Sequence, residues 1–164
     1  MKTLLLIRHA KSSWDNPAMD DHERPLNKRG LKTAPRMGQL IADEGLKPDI
    51  IVSSTAVRAA TTAEVIAEEC GYDRDIQFTD DLYLAPPSAY LDLLSTLPDD
   101  YNSAMLVGHN PGISELVSSM CGEHVDMPTA ALAHTQSENQ SWKAFETSSD
   151  ADLVNFWRPK ELGR

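Results

Sequence analysis

Cysteine is nearly missing from this 164-residue chain, which carries two. Cys70 and Cys121 stand far apart and form no CxxC pair or Cys/His cluster. That excludes a disulfide framework or a structural zinc site and predicts reduced thiols in a cytoplasmic protein. Positive charge is also scarce. Fifteen Lys and Arg against 25 Asp and Glu leave a formal net charge of −10, which argues against nucleic acid or an anionic membrane as a bulk partner. Long apolar runs are absent, since nothing approaches the ~18 consecutive apolar residues of a spanning helix. The N-terminal run is too short for a secretory core and has no small-residue cleavage site. With no internal repeat and no low-complexity segment, the expectation is one domain over residues 1–164, soluble and monomeric. A chain of this size buries roughly 70% of its unfolded surface.

What is present is an alternation of strands and helices. Residues 3–8 read as a buried strand and 11–25 as a polar loop. Residues 27–44 read as a helix with Leu31, Met37, Leu40 and Ile41 inward, ended by Gly45, and Pro35 inside it predicts a kink or a late start. A second strand covers 49–53, and Ser54 or Thr55 is expected to cap a helix over 56–70 that turns Val57, Val65 and Ile66 inward and stops at Gly71. Strands at 76–78 and 103–107 alternate with helices at 87–97 and 113–120, and the tail reads as strands at 130–135, 141–146 and 153–157. The order predicts an α/β fold in three layers, a mostly parallel central sheet flanked by helices on both faces.

Two strands run directly into histidine. Arg8-His9 ends the first, and Gly108-His109-Asn110-Pro111-Gly112 follows the strand at 103–107. Arg58 falls in the first turn of the helix after the second strand. In open α/β sheets ligands bind outside the carboxyl ends of the parallel strands, so two Arg and two His are expected to converge there, beside a helix N-terminus that favours anions. The guanidinium fork pairs with two phosphate oxygens at once. The prediction is a local basic pocket for phosphate in an acidic molecule. Lys11, Ser12, Ser13 and Trp14 follow the first His and line the mouth or a solvated loop. His22, His124 and His134 have no ligand spacing and read as surface or satisfied core histidines. Asp20-Asp21-His22-Glu23 reads as a solvated loop, and Trp142, Phe145, Phe156 and Trp157 as packing.

Three segments carry a resemblance. Arg8-His9-Ala10, the run Ser53-Ser54-Thr55-Ala56-Val57-Arg58-Ala59-Ala60-Thr61-Thr62, and Gly108-His109-Asn110-Pro111 resemble the signatures of the histidine phosphatase (phosphoglycerate mutase-like) superfamily, in order, across residues 4–112. The small size and Arg24-Pro25-Leu26-Asn27-Lys28-Arg29-Gly30 are similar to the SixA-type phosphohistidine phosphatases. The resemblance implies a phosphoglycerate mutase-like fold in which His9 attacks phosphorus through one ring nitrogen while the other donates to a backbone carbonyl. It implies that Arg8, Arg58 and His109 draw charge off the phosphoryl oxygens, with no metal and no cofactor. Lys11, Ser12 and Arg24 become candidate substrate-binding residues, Arg24 equally a clamp for its loop. Asp81, with Asp80 beside it, is the candidate general acid. Ala10 stands where the family usually has Gly, and its methyl is acceptable if φ is negative.

General acid catalysis contributes about 10²–10⁴-fold, so the want of a clear acid favours phosphohistidine on a signalling or phosphotransfer protein. The alternatives are a small phosphomonoester of the sugar phosphate type, or a phosphate-binding module with weak turnover. A mutase is disfavoured because so short a chain has little to build a lid from. A metal hydrolase using His9, His22 and His109 is disfavoured because no carboxylate is spaced to complete it.

Overall fold

A computed structural model describes residues 1–162 of the chain. One six-stranded sheet runs through it in the order β3-β2-β4-β1-β5-β6. Strands β1 (Lys2–Arg8), β2 (Ile50–Ser54), β3 (Gln77–Thr79) and β4 (Ser103–Gly108) are mutually parallel, while β5 (Leu132–Ser137) and β6 (Asp152–Trp157) add antiparallel on the β1 side. The helices are α1 (Lys28–Asp43), α2 (Val57–Cys70), α3 (Pro87–Leu94) and α4 (Gly112–Cys121).

The three layers follow from residue alternation, because successive strand residues point to opposite faces. Leu4 and Leu6 pack with Val52, Leu106 and the α3–α4 residues Leu94, Ile113 and Leu116. Leu5 and Ile7 pack with Ile51, Val107 and the α1–α2 residues Met37, Ile41, Ala63 and Ile66. Strands buried on both faces therefore read as unbroken apolar runs.

The helices show where local signals were overruled. The Asn27 side chain caps α1 by accepting from the Gly30 N–H at 2.9 Å. The helix then continues through Pro35 to Asp43, so the late start does not occur. The buried face is Gly30, Ala34, Met37, Gly38 and Ile41, which puts Leu31 one step off and leaves it exposed. In α2 the capping position belongs to Ala56, with no side-chain cap. Ser54 is still in β2, and Thr55 donates to Asp80. Val57 and Val65 are half-buried, while Ala59, Ala63 and Ile66 are fully enclosed.

The expected strand at 141–146 is instead a 3-10 turn, Trp142–Glu146. Asp99 accepts the Trp142 N–H at 2.9 Å, and the Trp142 indole donates to the Tyr101 carbonyl at 2.9 Å. Trp142 and Phe145 are both buried and stack 5.5 Å apart. Residues three apart share a face in a helical turn and oppose one another in a strand, so burying both rings decides the conformation.

Gly38 lets α1 lie against α2. A Cβ there would stand 2.6 Å from the Glu69 Cβ and 3.0 Å from the Ile66 Cα. Gly38→Ala should therefore cost about 1–3 kcal/mol by overpacking, read as a lowered urea midpoint with an unchanged slope. An unchanged midpoint would show that the helices separate without penalty.

Candidate active site

The central pair of the sheet builds the site. Arg8 lies opposite Gly108 in the β1–β4 register, and the His9 N–H donates to the Gly108 carbonyl at 3.1 Å. That ladder brings the His9 and His109 rings to 5.1 Å between centroids. Gly108 is required for the approach of α3, because a Cβ there would lie 2.0 Å from the Tyr90 hydroxyl oxygen, which accepts the His109 N–H at 3.2 Å. One strand further, β2 ends at Ser54, and the first turn of α2 carries Arg58.

A cavity of about 360 Å³ opens at this edge. Arg8, His9, Lys11, Ser12, Arg24, Arg58 and His109 line it, and Trp14, Asp21, Leu84, Asn110 and Thr129 join them. Asp81 does not line it. The turn Asp80–Leu82 buries Leu82, which leaves Asp81 exposed outside the cavity with its N–H on the Thr79 hydroxyl at 3.1 Å. Asp80 accepts from Thr55. The general acid expected at this turn is thus not placed in the cavity.

His9 is set up as a neutral base. Its Nδ1 lies 2.7 Å from the Ala10 carbonyl, which can only accept, so the proton sits on Nδ1 and the lone pair on Nε2. Burial, and then the Arg58, Arg8 and Arg24 charges, outweigh that hydrogen bond and bring the His9 pKa down to about 4. Burial together with His9 and Arg58 lowers His109 to about 3. Ser54 Oγ accepts the Ala56 N–H at 3.2 Å and lies 2.8 Å from His109 Nε2. The hydroxyl is free to donate to Nε2, and the tautomer that receives this bond carries the His109 proton on Nδ1. That Nδ1, Arg8 Nε and Arg58 Nε are buried without a protein partner.

Asp21, read from sequence as part of a solvated loop, is the residue that organises the cations. Its carboxylate pairs with Arg58 at 2.9 Å and Arg24 at 3.1 Å, accepts from the Tyr83 hydroxyl, and its backbone carbonyl accepts from Arg58 at 2.6 Å. Partial burial works against the charge, yet the Tyr83 hydrogen bond and the two guanidinium groups hold this carboxyl well below the usual carboxylate range. Arg24 spends its other donors on Ser12 Oγ at 2.7 Å and the Ser13 carbonyl at 3.2 Å, and its guanidinium lies 3.6 Å from the centre of the Trp14 ring. It is a clamp for the loop as well as a wall of the cavity. His22 packs edge-on against Tyr83, whereas His124 is exposed and His134 is buried beside Asn155.

Ala10 is fully buried, its N–H on Thr62 Oγ1 at 3.0 Å. The positive-φ residues other than glycine are Leu84 and Ala130, so position 10 makes no demand that alanine fails to meet.

A mostly parallel sheet gathers two buried imidazoles and converging guanidinium groups at its carboxyl edge, and similarity to known proteins places this fold among the phosphatases. The chain belongs to the histidine phosphatase superfamily (branch 1), whose family model matches residues 4–83. It is similar to a structure from Agrobacterium tumefaciens assigned as the phosphohistidine phosphatase SixA, at 31% identity and TM-score 0.83 over 96% of this chain and 98% of that one. The structure of the protein histidine phosphatase SixA complexed with tungstate shares the fold at 18% identity and TM-score 0.84, over 98% and 99% of the two chains. In sequence, the Mycobacterium tuberculosis protein Rv1276c is 30% identical over 159 residues, 96% of this chain and 93% of that protein.

The buried imidazoles carry a consequence for stability. Unfolded, both titrate near 6.5, and folded, near 4 and 3. Between those values the unfolded chain binds more protons, so stability complete above pH 6.5 falls as the pH drops towards 4. Urea midpoints should decline from about pH 6.5 to about pH 4.5, and His109→Asn should flatten that decline. A midpoint constant across the window would contradict the burial of neutral rings.

Proposed function

We propose that this phosphatase works through a phosphohistidine on His9 and that its substrate is phosphohistidine on another protein. One observation carries the choice of substrate. Among the described residues, Asp21 is the one carboxyl group lining the cavity, and it is held ionised by Arg58, Arg24 and Tyr83. An ionised carboxylate has no proton for an alkoxide leaving group. A phosphorylated imidazole can take its proton from solvent on its free ring nitrogen and depart as neutral imidazole, so it needs no acid from the enzyme.

In the first step the His9 Nε2 lone pair forms the bond to phosphorus as the substrate's P–N bond breaks. Nδ1–H stays on the Ala10 carbonyl and stabilises the positive charge the ring acquires. The protonated Nδ1 of His109 and the guanidinium groups of Arg8 and Arg58 take the charge on the phosphoryl oxygens. Water then attacks phosphorus, the P–Nε2 bond breaks, both water protons leave on the phosphate as H2PO4⁻, and His9 regains its lone pair. The cations are side chains, so the reaction is proposed to need no metal. Trp14 and Leu84 support a protein substrate, since both line the cavity while 73% and 56% exposed, an apolar rim suited to a folded surface. That a protein of similar fold forms a complex with tungstate, a phosphate-like oxyanion, supports oxyanion binding by this fold.

The test is phosphate release from a phosphohistidine-bearing protein and from p-nitrophenyl phosphate in EDTA. Turnover should survive the chelator and fall by more than about a thousandfold in His9→Ala, with the protein substrate favoured. Activity that needs a divalent metal, or that persists without His9, overturns the mechanism. A preference for p-nitrophenyl phosphate returns the choice to small phosphomonoesters.

A further inference from the structure

A second cavity, of about 230 Å³, adjoins the first. Lys11, Arg29, Arg158 and Lys160 line it along with Thr33 and Thr129, and Lys11 and Thr129 also line the catalytic cavity. Four cations around one depression stand out in a chain of net charge −10. Local pairing accounts for only one of them. Arg158 faces Glu161 at 3.2 Å, while no carboxylate comes within 4.0 Å of Lys11, Arg29 or Lys160 among the described residues.

The placement of the other three brings the fold no ion pair among the described residues. Arg29 lies in the first turn of α1, where the helix dipole already presents its positive end and that turn contains no acidic residue. Lys11 is fixed beside it because its carbonyl accepts the Asn27 N–H at 2.9 Å, and a Cβ on Gly30 would stand 2.2 Å from that same oxygen. The turn Pro159–Glu161 brings Arg158 and Lys160 from the far end of the chain. Three separate segments thus converge on one concave site whose charges repel one another until an anion arrives.

We infer that this cavity is a subsite for a second oxyanion, a carboxylate or phosphate carried by the same substrate whose phosphoryl group is held at His9. The inference rests on the phosphatase reading of the catalytic cavity and adds a specificity that reading does not contain. Lys11, shared by both cavities, would bridge the two anions. The second oxyanion could belong to a small molecule or to an acidic side chain beside a phosphohistidine, and matched probes separate these sources.

The experiment compares wild type with Arg29→Gln/Lys160→Gln on two pairs. One pair is glycerol 3-phosphate and 3-phosphoglycerate, which differ by a carboxylate. The other is a phosphohistidine peptide with glutamates two residues away on either side and the same peptide with glutamines. In wild type the more acidic member of one pair should show about tenfold higher kcat/KM, the scale of one charge-assisted hydrogen bond. The double variant should lose that preference while p-nitrophenyl phosphate turnover changes by less than about twofold. A response confined to the first pair identifies a small bis-anionic substrate, and one confined to the peptides identifies an acidic protein surface. Equal rates within both wild-type pairs, or a preference that survives in the variant, overturns the subsite. If no probe is turned over, the phosphatase reading itself fails. Calorimetric binding of the same pairs to both proteins then decides the subsite separately, upheld by tighter wild-type binding of the acidic member and overturned by equal binding.

Discussion

Three guanidinium groups and two imidazoles share one cavity edge, and the carboxylate of Asp21 ties two of the guanidinium groups together. Asp21 takes one oxygen to Arg58 and the other to Arg24, while its own backbone carbonyl takes a further Arg58 donor. Like charges in a partly dry site repel strongly, so the loop bearing Asp21 closes because the cations need it. Tyr83 and Trp14 then settle around that loop, the first on the carboxylate and the second under Arg24. The pocket wall is therefore a consequence of charge balance rather than of apolar packing.

The same balance fixes the chemistry. Burial first, and the neighbouring cations after it, keep His9 and His109 neutral, and a neutral His9 is the form with a lone pair to give. The His9 tautomer costs the fold nothing extra, because the carbonyl that receives Nδ1–H belongs to the next residue. Asp21 is unable to serve as both ionic tie and proton donor. On the proposed mechanism, such a cavity suits leaving groups that supply their own proton route.

Much of this was legible in the sequence, for physical reasons that differ by residue. Arg8, His9 and His109 stood out because charge immediately after an apolar strand has few structural explanations, and the parallel register carries it to one edge. Arg58 was legible through its place one turn into a helix after β2. Asp21 was not, since an acidic run in a polar loop looks the same whether it faces water or two arginines from distant segments. Asp81 was misplaced because nothing local says which residue of the Asp80–Leu82 turn faces inward, and the burial of Leu82 decides it. The 3-10 turn at Trp142 failed for a related reason. Its aromatic content reads as strand, while the partners that bend it, Asp99 and Tyr101, lie some 40 positions away.

The β1–β4 pairing has a kinetic meaning. Thr3 meets Ser103 and Arg8 meets Gly108, so a loop of about one hundred residues must close before the two histidines become neighbours. Contacts of such long range form late and slowly compared with helices and hairpins. In sequence, α1, β2, α2, β3 and α3 all lie between the two strands, so the central ladder encloses most of the chain when it forms. Activity in this molecule is accordingly a reporter of global folding, and a partly folded chain has no half-active form to offer.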